Sequence, residues 1–189
     1  MLQKIKVIVT AIVLALLPAI PALAKSPIRT IDGIVTRVSD GDTVHVRDDL
    51  GTKLKVRLYG VDAPETPKAN KKTGRISKPG QPYGEEAWRA LEEKVFRKRV
   101  RLEVMDIDRY KRLVSLVWLD KQNINEEMVA EGWAWAYKQY LDTPYASQFI
   151  GLEAQARAKR LGLWQQNNPQ PPWEFRKSLK RGKRGRAAW

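Results

Sequence analysis

The 189-residue chain contains no cysteine. That excludes disulfide scaffolds, zinc–thiolate sites, iron–sulfur clusters and a cysteine nucleophile. Histidine is nearly as scarce, with His45 standing alone. One imidazole rules out chemistry that needs a pair and argues against a Ser-His-Asp triad. Acid is in deficit too: 21 Asp+Glu stand against 35 Lys+Arg, for a formal net charge of +14. Any catalysis must therefore rest on carboxylates, cationic groups, hydroxyls or hard metal ions. What the chain does have is apolar content, 43% of its residues, which is enough for a core and too much for wholesale disorder. The length suits one compact domain with extensions. So positive a chain favours polyanionic partners, whether nucleic acid, anionic lipid or cell-wall polymer.

Residues 1–24 hold no acid, two early lysines (Lys4 and Lys6) and an apolar run from Val7 to Leu17. Pro18 and Pro21 then break any helix, and Ala22-Leu23-Ala24 offers a small-x-small cleavage pattern. This is the layout of a signal peptide, with cleavage expected after Ala24 and a secreted or periplasmic product. The rival reading is an uncleaved anchor, but the run falls short of the about 20 residues a spanning helix needs. Cleavage removes two lysines and no acid, so the basicity belongs to the mature chain. No stable membrane insertion is expected after it, and the protein is expected to be a monomer.

The body reads as strands first, then helices. Thr30 to Ser39 is rich in Ile, Val and Thr, Asp40-Gly41 is a turn signal, and Val44 and Val46 alternate with Thr43, His45 and Arg47. His45 is expected to be an exposed strand residue and no catalyst. Leu54, Val56 and Leu58 alternate with Lys55, Arg57 and Tyr59, which points Arg57 away from the core. Pro64 ends that strand. Pro67 to Pro82 lacks periodicity and reads as a long basic loop. Tyr83 to Lys98 fits an amphipathic helix, with Ala87, Leu91 and Val95 four apart. Val100 to Val104 and Leu113 to Leu119 are two more strands. Asn125 is a candidate cap for a short helix ending at Gly132, and a last helix runs from about Tyr145 to Leu161. The tail from residue 169 to 189 is proline-led and then basic, and is expected to be disordered and to add nothing to the fold. Most of the seven tryptophans are expected in the core or helix packing. Five strands followed by helices fit an α+β fold built on a small Greek-key barrel of the OB type.

Two acidic strand ends stand out, Asp40-Gly41-Asp42-Thr43 and Asp62-Ala63-Pro64-Glu65. Two carboxylates and a backbone carbonyl suit a hard cation such as Ca²⁺. Arg57 precedes the second group, and Arg112 closes Asp108-Arg109-Tyr110-Lys111-Arg112. Guanidinium groups match phosphate oxygens in bidentate fashion. Together these groups could run phosphodiester cleavage without His or Cys.

These residues also carry a family likeness. Val38-Ser39-Asp40-Gly41-Asp42-Thr43-Val44, and then Val56 through Thr66, resemble the signature of the staphylococcal (micrococcal) nuclease family. Pro82 to Ala87, Asp108 to Arg112, Asn125 with Met128-Val129, Gly132, Glu153 to Ala158 and Gly162-Leu163-Trp164 follow in family order, over roughly residues 30 to 165. The resemblance implies a five-stranded OB-fold barrel with three helices over residues 25–168. It implies Ca²⁺-dependent hydrolysis of DNA and RNA with little sequence specificity, breaking the 5′ P–O bond to leave 3′-phosphate ends. It places Asp42, Asp62 and the Ala63 carbonyl on Ca²⁺, and Glu65 on the attacking water as general base. Arg57 and Arg112 are placed on the scissile phosphate. Arg109 and Tyr110 fall where the family contacts the nucleotide, and Tyr137 and Tyr140 are both candidates to stack on a base. One position departs from the family, Lys111, where a glycine is usual. If the turn there needs a positive φ, lysine pays a steric cost and the placing of Arg112 is at stake. The alternative function is an OB-fold nucleic-acid binder without catalysis. All five groups it would be free to lose (Arg57, Arg112, Asp42, Asp62 and Glu65) are present. An envelope-polymer anchor would leave the motifs unexplained.

Overall fold

The computed structural model describes residues 26–70, 72–142 and 145–186. The segment read as a signal peptide lies outside them. Alternation decides the first half of the domain. Strand β1 (Arg29–Asp40) turns at Gly41 into β2 (Thr43–Asp48), which turns again into β3 (Lys53–Leu58). Each sends one face inward: Val35 and Val38, Val44 and Val46, Val56 and Leu58. Strand β4 (Arg99–Ile107) buries Val100, Leu102 and Val104, and β5 (Leu113–Leu119) buries Leu113, Leu116 and Val117. β4 lies antiparallel to both β1 and β5. β5 then meets β3 in parallel, with Val56 opposite Leu113 and Arg57 opposite Val114. That pairing closes the order β3–β2–β1–β4–β5 into a barrel. The α+β, OB-type architecture expected from the sequence is the one observed.

Helix α1 (Gly84–Val95) covers the barrel with Ala87, Leu91 and Val95, the expected stripe. Helices α2 (Ile124–Ala130) and α3 (Tyr145–Ala158) pack beside it and add Met128, Val129 and Phe149 to the core. Lys94 on α1 ties the layer together, its Nζ 2.9 Å from Glu127 and 2.6 Å from Glu131. Among the described residues no helix is long and apolar enough to cross a membrane.

The cap of α2 is Asn123, not Asn125. The Asn123 side chain accepts from the backbone N–H groups of Asn125 and Glu126. Asn125 is fully buried and works as a cross-link instead. Its Oδ1 accepts from Val117 N (2.9 Å), and its Nδ2 donates to the carbonyls of Tyr59 (2.9 Å) and Ser115 (3.0 Å). The segment read as a featureless loop forms a small exposed hairpin, Lys68–Ala69 with Ile76–Lys78.

The tail departs most from expectation. Residues Pro172–Arg186 form a fourth helix, α4, docked on the barrel. Its charge count hid two anchors. The Trp173 ring meets Trp135 edge-on at 5.5 Å and stacks on Tyr137 at 5.4 Å, and Arg176 finds two carboxylates. A basic helix of this composition is held by those contacts rather than by its own propensity. Trp189 lies outside the described residues.

Candidate active site

Asp42 is set by the tight β1–β2 turn. A side chain at Gly41 would place its Cβ 2.7 Å from that of Ala63 and 2.9 Å from that of Ala87, so only glycine lets the turn sit against α1. The Asp42 carbonyl accepts from Leu58 N (2.9 Å), which fixes this turn beside the end of β3. Arg57 stands on β3 opposite Thr43. Its guanidinium Nη2 lies 3.0 Å from Asp42 Oδ2 and 2.7 Å from Asp62 Oδ1. Asp62 comes from the short bridge in which it pairs with Trp135. Its side chain is wholly enclosed.

The electrostatics follow from enclosure and the shared guanidinium. Burial alone would raise the Asp42 carboxyl, but Arg57 and the Thr43 hydroxyl, 2.8 Å from Oδ1, hold it below its ordinary value. Burial and the neighbouring Asp42 charge push Asp40 up to about 7, against the pull of Lys68 at 3.3 Å. Burial also raises Asp62, with guanidinium groups pulling the other way. Burial would lower Arg57, but Asp42 and Asp62 outweigh it and keep the group charged.

Arg112 leaves the loop before β5. Asp108 Oδ1 accepts from the backbone N–H groups of Tyr110 and Arg112, both at 2.9 Å. Its Oδ2 takes Arg112 Nε at 2.7 Å and lies 2.7 Å from Nη2. Burial works against the Asp108 charge, but these donors lower its pKa on balance. Asp108 thus aims the arginine, a role that its place in the motif did not disclose. Lys111 does take the left-handed conformation, φ 61°. Arg112 still reaches the cleft, because Asp108 grips both its backbone and its side chain. Lys111→Gly should therefore stabilise the protein by roughly 0.5–1 kcal/mol, the relief of the left-handed strain less the extra freedom of glycine in the unfolded chain. Urea unfolding measures this, and turnover should stay unchanged.

Arg57, Ala63, Glu65, Arg109, Tyr110, Arg112 and Tyr137 line one cleft of about 830 Å³, with Asp42 at its wall. Arg109 and Arg112 lie over the exposed Tyr110 ring, at 4.9 and 5.6 Å. The Tyr140 side chain lies outside the described residues. The Glu65 backbone is clamped, with its N–H on Gln81 Oε1 (3.1 Å) and its carbonyl on Gln81 N (2.8 Å). A side chain at Gly84 would come within 2.3 Å of that carbonyl.

Residues 55–166 match the family model described as staphylococcal nuclease homologue. The chain belongs to the staphylococcal nuclease family. A micrococcal nuclease of Shigella flexneri is 35% identical over 188 residues, covering 95% of each chain. A protein described as an uncharacterized endonuclease, from Haemophilus influenzae, is 38% identical over 146 residues, 77% of this chain and 73% of its own. Protein ParB of Escherichia coli is 35% identical over 154 residues, 77% and 78% of the two chains.

As a site for a cation, the staphylococcal-nuclease cleft offers oxygen donors only. Asp42 and Asp62 are buried carboxylates and Ala63, next in sequence to Asp62, lines the cleft; two carboxylates and a backbone carbonyl are a donor set that fits a hard divalent ion with water in its remaining positions. Among the described residues no cluster of three or more His, Cys, Asp or Glu is arranged as a fuller cage. Arg176 is a site residue that the sequence reading missed. Its Nη1 donates to Asp62 Oδ1 (3.0 Å) and Glu65 Oε1 (2.8 Å), and its Nη2 to Asp62 Oδ2 (2.8 Å). A contact spanning 114 residues from within a basic tail leaves no local signature.

Proposed function

We propose that this nuclease is an exported, Ca²⁺-dependent enzyme that hydrolyses phosphodiester bonds of DNA and RNA with little sequence preference and leaves 3′-phosphate ends. The observation that carries the reading is the convergence of Arg57, Glu65 and Arg112 with Asp42 and Ala63 around one cleft, with the enclosed Asp62 ion-paired to Arg57. Export rests on the basic, apolar and small-residue order of residues 1–24. The broad substrate range fits a cleft whose cations address phosphate, which every nucleotide carries.

Arg57 and Arg112 bind the scissile phosphate. Their forks gain most when charge grows on its equatorial oxygens, so they favour the five-coordinate transition state over the ground state. Asp42, ion-paired with Arg57, and Asp108, ion-paired with Arg112, keep both guanidinium groups in place before substrate arrives. Glu65 takes the proton of the attacking water as the new P–O bond forms. The bond to the 5′ oxygen breaks, and that oxygen leaves and is protonated by solvent. Asp42, Asp62 and the Ala63 carbonyl would hold Ca²⁺, which supplies Lewis-acid neutralisation of a phosphate oxygen. Tyr110 and Tyr137 line the same cleft, the Tyr137 ring stacked on Trp173.

The test is digestion of end-labelled DNA and RNA with Ca²⁺ or with excess EGTA, followed by analysis of the product ends. Hydrolysis is expected with Ca²⁺ alone, with both polymers cut and 3′-phosphate termini. Full activity in EGTA after extensive dialysis would overturn the metal requirement, and 5′-phosphate products would overturn the assigned bond.

A further inference from the structure

Asp62, one of the two carboxylates that the proposed function assigns to a cation, already has cationic partners from within the chain. Arg176 spans Asp62 and Glu65, donating to both oxygens of the first and one of the second. Asp62 Oδ1 also accepts from Arg57. Guanidinium charge on both oxygens of an enclosed carboxylate competes directly with a divalent ion for the same group. Glu65 Oε1 is likewise ion-paired with Arg176, at 2.8 Å.

Arg176 is delivered by a helix with its own anchorage. Trp173, three residues earlier and hence on the same face, stacks on Tyr137 and meets Trp135. Phe175 borders a second cavity of about 220 Å³ beside Pro64, Pro82 and Leu163. The Gln170 carbonyl accepts from Gln81 Nε2 (3.0 Å), on the same glutamine that clamps the Glu65 backbone. Lys180, one turn past Arg176, lines the main cleft.

We propose that α4 is a built-in competitor of the active site, whose docked form places Arg176 on Asp62, a carboxylate that the divalent cation requires, and on Glu65 beside it, so that cation binding and helix docking exclude each other. The inference rests on the cation reading of the proposed function. Apparent cation affinity is then the intrinsic affinity scaled by the fraction of molecules with α4 released. By reciprocity the cation loosens the helix to the same degree. Trp173 sets the docked fraction without touching either carboxylate, and this separates helix docking from the simple removal of a positive charge.

The experiment measures Ca²⁺ binding by calorimetry, with no nucleic acid present, on the full chain, Arg176→Ala and Trp173→Ala. Both variants should bind Ca²⁺ more tightly, by about 5- to 150-fold. In the full chain, Ca²⁺ should speed amide hydrogen exchange within residues 172–181. If only Arg176→Ala gains affinity, the effect is charge removal and the competitor helix is overturned. Unchanged or weaker binding in both variants overturns it as well. If Ca²⁺ binds none of the three proteins, the cation reading itself fails, a result distinct from equal binding by all.

Discussion

Arg57→Lys is expected to lower turnover by about 10²- to 10³-fold, the cost of losing one donor aimed at transition-state charge. Substrate affinity should move far less, because lysine keeps the charge that attracts phosphate. What it loses is the planar fork. One nitrogen of Arg57 meets both Asp42 and Asp62, leaving the rest of the guanidinium to face the cleft. An ammonium would be drawn down to the same carboxylates with nothing left to reach a phosphate. Lysine is a better probe than alanine here. Arg57→Ala would strip a partner from two buried carboxylates, and breaking a buried pair costs about 3–5 kcal/mol. Folding would then confuse the result. Single-turnover rates, with thermal unfolding as a control, measure the effect. Near-full turnover in a folded Arg57→Lys protein would remove Arg57 from the chemistry.

Asn125→Leu is expected to be the most destabilising change of similar volume in the core. It leaves Val117 N–H and the carbonyls of Tyr59 and Ser115 without their side-chain partner inside the barrel. The Ser115 carbonyl keeps the Tyr59 N–H at 2.8 Å; each buried polar group left unpaired costs about 1–3 kcal/mol, so the other two and partial relaxation bring the sum to roughly 3 kcal/mol. For a domain of this size that is a Tm lower by about 6–12 °C. Asn125→Asp should do no better. It preserves the acceptor for Val117 but turns a carboxylate oxygen toward two carbonyl oxygens. Calorimetric unfolding of the three proteins checks both. A Tm unchanged in Asn125→Leu would mean that the cross-link contributes nothing net to stability.

The barrel was legible because its strands announce themselves by alternation. Val44 and Val46, and Val56 and Leu58, needed no tertiary information to be placed inside. The cleft residues were legible for a related reason. Asp42, Arg57, Asp62 and Arg112 sit at or near strand ends, where register fixes direction. The misplaced cap shows where local reading stops. Both Asn123 and Asn125 satisfy the pattern of a capping residue, and only the carbonyls of Tyr59 and Ser115, brought in by the closed barrel, decide which one turns inward. Asp108 was visible as part of a motif, but its grip on Arg112 depends on how the loop folds back. The small hairpin after Pro67 has no alternation to betray it. Helix α4 was hidden most completely, since its charges describe its exposed face and its docking depends on a distant aspartate.

The enclosure of Asp62 has a consequence for how the protein is made. An acid so deeply set ordinarily obliges a polypeptide to recruit a counter-ion before the surrounding structure can close. Here Arg57 and Arg176 bring that counter-charge with the sequence itself. Assembly of the barrel therefore does not wait on the ionic composition of the compartment in which synthesis takes place. Folding and the ion binding proposed above thereby become separate events, the first written into the polypeptide and the second set by the free ion around the folded molecule.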